Sequence, residues 1–428
     1  MTTSLKASAG RLWRISLAGS FAFALALFGR GAEPGDLERL WVADMNGGPW
    51  SVKINGVAVA VAIDTGSPVP LIVTDACIRR LGIGLSAPLP DRPVKPGEAL
   101  GGWSEPFEMD FLGRPEPKRP WPVVKVPSDT ISRRDAFDGV LGWPGISEKI
   151  FCFDLANRRF GPFDDVPDPV KSMVRFTVLK RDTLVLELPA NPDGIRYLAV
   201  DTGASDGILL PPDLWKAWRA NHPSAPMTLT LKSMFGDLLQ SREECWADSY
   251  AIGPLPLHDV PIGEAGPAYA IQLASKNFIA IGLAALARMV LVVDGKNQVA
   301  YAAGISDPPL PYPHNRLGVT FVPGAALATN PVARVAAGTP AAEAGIQDGD
   351  ALLQVGATPV TNMRQYIDLE FPNESPDGSV SAGTKVDFTL RRGSATIHVT
   401  VTARDILAPR AGDASPAAST ATAPPKPG

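Results

Sequence analysis

The sequence predicts a mainly β protein made of two similar domains, a smaller third domain and an unstructured tail. Three observations carry that reading. The 428-residue chain holds 43 Pro and 40 Gly, a turn-rich composition that favours sheets over helical bundles. An ordered set of strand-like runs occurs twice, around Asp64-Thr65-Gly66-Ser67 and around Asp201-Thr202-Gly203-Ala204. A repeat of that length means two domains of one design. A Pro-rich stretch, residues 305–315, then separates the repeats from a differently patterned region, and such a composition reads as a stiff, extended linker.

The chain begins with a targeting pattern. Lys6, Arg11 and Arg14 precede a 14-residue apolar run, Ile15 to Phe28. That is short for a membrane span and suits a signal-peptide core. Gly29-Arg30-Gly31 offers a small-x-small cleavage site. Residues 1–31 therefore read as a signal peptide or, uncleaved, as an N-terminal anchor, and the expected location is periplasmic or secreted. Membrane contact is expected only through that segment.

The first repeat covers residues 37–165. Asn55-Gly56 between two strand-like runs is a strong hairpin signal. The second of those runs, Val57 to Ile63, ends on Asp64. Leu71-Ile72-Val73 leads into a helix-like stretch from Thr74 to Leu81, and Asp138-Gly139-Val140-Leu141-Gly142 follows later. The unit closes with a strand pair around Asn157-Arg158-Arg159.

After a short linker with Pro167 and Pro169, the second repeat covers residues 171–304 in the same order. Its runs are Leu184 to Leu188, Tyr197 to Val200, Ile208 to Leu210 and a helix-like stretch to Trp218. Phe278-Ile279-Ala280-Ile281-Gly282 and a closing pair around Lys296-Asn297-Gln298 complete it. Gly142 lies 78 residues after Asp64, and Gly282 lies 81 after Asp201. Residues 227–244 read as a hairpin around Phe235-Gly236-Asp237.

An apolar pair before Asp-Thr-Gly, answered by a distant apolar pair before Gly, resembles the aspartic proteases. The short units resemble the bacterial retropepsin-like branch, and two of them in one chain resemble the two-lobed pepsin arrangement. The resemblance implies two acid-protease-like β-barrel lobes with Asp64 and Asp201 as the catalytic pair. Thr65, Gly66, Ser67, Thr202, Gly203, Gly142 and Gly282 would support the active loops. It also implies a flap over the cleft. The position falls at residues 88–106, where Trp103 follows two glycines, and the lobe has no Tyr to match the pepsin flap.

Residues 316–404 resemble the bacterial PDZ domains appended to periplasmic proteases. The resemblance rests on Arg316-Leu317-Gly318-Val319-Thr320-Phe321, Gly338-Thr339-Pro340-Ala341 and Gly349-Asp350-Ala351-Leu352-Leu353. It implies a small α/β domain that adds a peptide strand to a sheet edge. Its terminal carboxylate would sit on the N–H groups of Leu317-Gly318-Val319. Residues 405–428, rich in Ala, Pro, Ser and Thr, read as a disordered tail.

The chemistry explains the residue types. Peptide hydrolysis without a covalent nucleophile needs a water activated on one side and a carbonyl protonated on the other. Two carboxylates sharing one proton do both, and in aspartic proteases they sit about 3 Å apart. This route needs no cofactor and no metal, and the four His at 222, 258, 314 and 398 lack metal-ligand spacing. The three cysteines, Cys77, Cys152 and Cys245, read as small core residues, with one disulfide left open.

The net charge of −4, with no dense basic run, argues against nucleic acid as a partner. The expected partners are peptide or protein substrates and a C-terminal peptide ligand. One chain supplies both carboxylates, so a monomer is expected. The sequence also fits a second reading, a protease-like peptide-binding protein without turnover.

Overall fold

The computed structural model describes residues 52–87, 102–111, 114–124, 138–156, 159–163, 165–189, 194–234, 238–266, 277–306, 312–324, 330–367, 369 and 380–407. The expected signal segment, the turn Phe235-Gly236-Asp237, most of the candidate flap and residues 408–428 lie outside them.

Unit one contains β1 (Val52–Ile54), β2 (Val57–Val59), β3 (Val61–Asp64), β4 (Leu71–Thr74), α1 (Asp75–Arg80), β5 (Leu85–Ala87) and β6 (Gly102–Ser104). It continues with β7 (Phe107–Phe111), β8 (Arg114–Arg119), β9 (Pro122–Val124), β10 (Gly139–Gly142), α2 (Trp143–Ile146), β11 (Ile150–Asp154) and β12 (Arg159–Phe163). The β1–β2 turn is the hairpin that Asn55-Gly56 predicts. Both residues take positive φ, 49° and 79°, which matches the twist of the flanking strands. All four residues of β3 are buried. Helix α1 starts where expected because the Thr74 hydroxyl accepts the Cys77 N–H at 3.0 Å.

Unit two repeats the plan. It contains β13 (Val174–Val178), β14 (Val185–Glu187), β15 (Tyr197–Val200), β16 (Ile208–Leu210), α3 (Pro212–Asn221) and β17 (Met227–Met234). Then come β18 (Leu238–Ile252), β19 (Leu255–Glu264), β20 (Phe278–Ile281), α4 (Leu283–Leu286), β21 (Met289–Asp294) and β22 (Val299–Gly304). Strand β10 runs parallel to β3 with Gly142 opposite Asp64. Strand β20 runs parallel to β15 with Ile281 opposite Val200. Each Asp loop therefore leaves its strand beside a second buried strand that ends at a glycine.

The expected closed barrels are not what forms. Unit one is divided between a four-stranded sheet (β2-β1-β7-β8) and a six-stranded sheet (β3-β10-β4-β9-β6-β5). A twelve-stranded sheet takes in all of unit two and also β11 and β12 of unit one. The join is antiparallel, Ile150 opposite Asp294 through Phe153 opposite Leu291. Both strands are apolar on both faces, and pairing them removes two exposed strand edges at once. One hydrophobic core spans both units, with Phe151, Phe153, Leu291 and Val293 among its members.

Unit three contains β23 (Val319–Val322), β24 (Val332–Val335), α5 (Pro340–Glu343), β25 (Ala351–Val355), β26 (Thr358–Pro359), α6 (Met363–Ile367), β27 (Lys385–Arg392) and β28 (Ala395–Thr402). Its sheet runs β23-β24-β25-β27-β28, and it has its own core around Phe321, Leu352, Phe388 and Val401. The described end of the linker is not a free spacer. The Tyr312 hydroxyl donates to Glu244 at 2.5 Å, and His314 is buried. Residues 405–407, expected in the tail, are also tied down. His314 Nε2 accepts the N–H groups of Ile406 and Leu407, and Leu407 is buried. Among the described residues no helix is long and apolar enough to cross a membrane.

Candidate functional site

Asp64 ends β3 and Asp201 follows β15, and the structure brings the two loops against each other. Each loop first closes on itself. The Gly66 N–H donates to Asp64 Oδ1 at 2.9 Å, and the Gly203 N–H donates to Asp201 Oδ1 at 2.9 Å. The loops then exchange hydrogen bonds in a near-two-fold pattern. Thr65 Oγ1 donates to the Val200 carbonyl at 2.6 Å, and Thr202 Oγ1 donates to the Ile63 carbonyl at 2.8 Å. Each hydroxyl also accepts the other threonine's N–H, at 3.0 and 3.1 Å. Both threonines are fully buried, so each bond is made in a low-dielectric interior that makes its loss expensive.

The glycines are spaces as much as turns. A Cβ on Gly66 would lie 2.6 Å from the Asp201 carboxyl carbon. A Cβ on Gly203 would lie 2.6 Å from that of Asp64. Each carboxyl group thus rests on the opposite loop's glycine. Gly142 and Gly282 brace the loops from the side. Their Cβ atoms would come within 2.1 Å of the Val69 carbonyl oxygen and 2.5 Å of the Asp206 carbonyl oxygen.

Asp64 is 1% exposed and Asp201 is 6% exposed. Burial pushes the Asp64 carboxyl well above the ordinary carboxylate range. The neighbouring charge and hydrogen bond of Asp201 push the same way, against the N–H groups of Gly66 and Ser67. Two acids this close titrate as a pair. Asp64 Oδ2 is buried and meets no hydrogen-bond donor among the described residues. The arrangement can hold one proton between two carboxyl groups at a pH where an isolated Asp is ionised.

Two other expected residues stand differently. Ser67 serves Asp64 through its backbone N–H, while its hydroxyl lies 3.5 Å from the Val69 N–H. Trp103 sits on β6 opposite Ala87 and Pro122 and is 44% exposed. No described contact brings it to the carboxyl groups.

Asp206 was not legible as a site residue. It is buried on the loop that carries Asp201. Its carbonyl accepts the Ala284 N–H at 3.2 Å, and its charge bears on Tyr312. Its segment Gly203-Ala204-Ser205-Asp206-Gly207 spells Gly-x-Ser-x-Gly, a pattern that points to Ser205 and not to Asp206. That pattern marks a nucleophile elbow only when a helix follows; here it runs into strand β16.

A second candidate site lies in unit three. Gly318 takes φ 76°, and a Cβ there would overlap the Thr339 side chain at 2.2 Å. The loop Leu317-Gly318-Val319 at the start of β23 therefore has no room for a side chain at Gly318. Its Leu317 and Gly318 N–H groups both donate to Asn315 Oδ1, at 3.0 and 3.1 Å. Residues 332–369 match the family model of the PDZ domain. No curated relative matches the chain. PDZ domains bind peptide termini or proteins, and the matched segment runs from β24 through α6. Within the PDZ domain, Arg392 pairs with buried Asp350 through two hydrogen bonds of 2.7 Å.

Proposed function

We propose that the chain is an exported aspartic endopeptidase whose PDZ domain binds peptide or protein termini. The observation that carries the reading is the reciprocal seating of Asp64 and Asp201. Each carboxyl group rests on the other loop's glycine, and two buried threonines lock the loops together.

With one proton on the pair, the ionised carboxylate takes a proton from a water as its oxygen attacks the peptide carbonyl carbon. The protonated carboxyl gives its proton to the carbonyl oxygen, producing a neutral tetrahedral diol. Collapse moves a proton from the diol to the leaving nitrogen and breaks the C–N bond. The acid and the amine leave, and one proton remains on the pair. The proton belongs to the pair, so neither Asp is assigned acid or base. The pattern of residues 1–31 supports export.

The test is cleavage of a denatured protein mixture, read by mass spectrometry across pH. Wild type is run beside Asp64→Asn and Asp201→Asn, each shown to be folded by circular dichroism. Cleavage in wild type and a loss of roughly 1,000-fold or more in each variant is expected. Equal cleavage in all three would overturn the reading.

A further inference from the structure

We propose that the PDZ domain is self-occupied. Asn315 and the β17–β18 hairpin of unit two fill the groove in which it would take a peptide C-terminus, so that peptide binding and release from unit two are one event. The inference rests on the peptide-binding reading of the PDZ domain and is independent of catalysis.

The first support is the loop itself. A terminal carboxylate is held by successive backbone N–H groups. Here the Leu317 and Gly318 N–H groups already donate to one oxygen, Asn315 Oδ1. The second is the strand. Among the described residues β23 pairs only with β24. The Gly318 carbonyl accepts the Ala336 N–H on the β24 side. Carbonyl directions alternate along a strand, so the Val319 carbonyl points to the open edge, where a ligand strand would place its first N–H. Asn315 Nδ2 donates to that carbonyl at 2.8 Å. One amide side chain therefore stands in for both the carboxylate and the first ladder N–H of a ligand.

The third support is what lies beyond the edge. Strand β17 is the outermost strand of the twelve-stranded sheet. Asn315 Nδ2 also donates to its Leu229 carbonyl at 2.9 Å, and Thr228 Oγ1 donates to the Asn315 carbonyl at 2.6 Å. Thr320 on β23 donates to Ser241 on β18, oxygen to oxygen 2.6 Å. Thr228 and Thr320 are both buried. Two open sheet edges thus cover one another. Tyr312, three residues before Asn315, holds Glu244 of β18 and feels the charge of Asp206 on the Asp201 loop. Lifting the PDZ domain would therefore also disturb the Tyr312–Glu244 contact.

The test uses the full chain in an Asp201→Asn background, so that a cut probe is not mistaken for binding. The probe is a fluorescein-labelled decapeptide pool with its last four positions randomised and a free carboxylate. The same pool with amidated C-termini is the control. Ser241→Arg, which drives a charge into the hairpin contact and leaves the groove intact, should tighten binding of the carboxylate pool about ten-fold or more. Asn315→Ala should do the same, and the amidated pool should stay weak. The double variant Ser241→Cys/Thr320→Cys, oxidised, should lose binding and recover it in dithiothreitol. If wild type binds as tightly as both released variants and the oxidised lock changes nothing, the groove is open. The self-occupancy is then wrong while the peptide-binding reading stands. If neither wild type nor the released variants bind the pool, the peptide-binding reading fails and takes the proposal with it.

Discussion

At the two Asp-Thr-Gly turns, what the glycines leave empty matters as much as what the other residues supply. Gly66→Ala should push the Asp201 carboxyl group from its seat, and Gly203→Ala should do the same to Asp64. A displacement near 1 Å costs about 100-fold in rate, so kcat/KM on an unfolded protein should fall by roughly that factor or more in either variant. Thr65→Ala removes a donor to Val200 and an acceptor for the Thr202 N–H. Two buried groups left unsatisfied should destabilise the protein by about 2–4 kcal/mol in urea unfolding. Thr65→Ser, which keeps the oxygen, should recover most of it.

The pH dependence separates two acids. Burial and Asp201 raise Asp64 in the folded state, so its contribution to stability is complete below the unfolded pKa and is lost as pH rises through the folded one. Asp64→Asn should therefore melt above wild type at neutral pH and alike at pH 3. Asp350 has the opposite sign. Burial pushes it up, but the Arg392 hydrogen bond and the Gln347 N–H outweigh that and leave it below the usual range. Its contribution is present above the unfolded pKa and is lost as pH falls through the folded one. Both Asp-Thr-Gly loops were legible at this scale, because a short motif repeated in the same company is a local signal. Asn315 was not, because its partners Leu229 and Val319 lie 86 and 4 residues away, and only the fold brings them to one amide.

Strands and helices were legible where the cause is local. The β1–β2 turn, the Thr74 cap of α1 and the buried runs leading to Asp64 and Asp201 all follow from neighbouring residues. Thr74→Ala should cost about 1 kcal/mol in urea unfolding through the lost cap. Strands β10 and β20 were also legible, because each ends at a glycine at a matching distance from its Asp. Gly142→Ala is the sharper test. Its Cβ would meet the Val69 and Ser67 carbonyl oxygens, backbone atoms of the Asp64 loop that cannot rotate away. It should destabilise by roughly 3 kcal/mol and lower activity in the same variant. Trp103 marks the limit. Strand β6 forms around it, but its place is set by pairing with β5 and β9, and no described contact brings the exposed side chain to the carboxyl groups.

The whole molecule is two coupled bodies. Units one and two share a core and a twelve-stranded sheet, while the PDZ domain has its own core. Calorimetry should therefore give two transitions, one for units one and two together and one for the PDZ domain. Arg392→Ala should lower only the latter, because it strips a buried carboxylate of a partner that is itself part exposed. A single shift of both transitions would mean that the domain interface, not the core, sets its stability. By itself the sequence determined the mainly β class, the two-fold repeat and the third domain, because each is written in short patterns of residue type and spacing; the pairing of Asp64 with Asp201 was implied only by the family resemblance. The open twelve-stranded sheet in place of closed barrels, the Asp206–Tyr312 proximity and the covered PDZ edge were decided only by tertiary structure. Each depends on which distant strand edges and buried charges meet, and that is fixed by the packing of the whole chain.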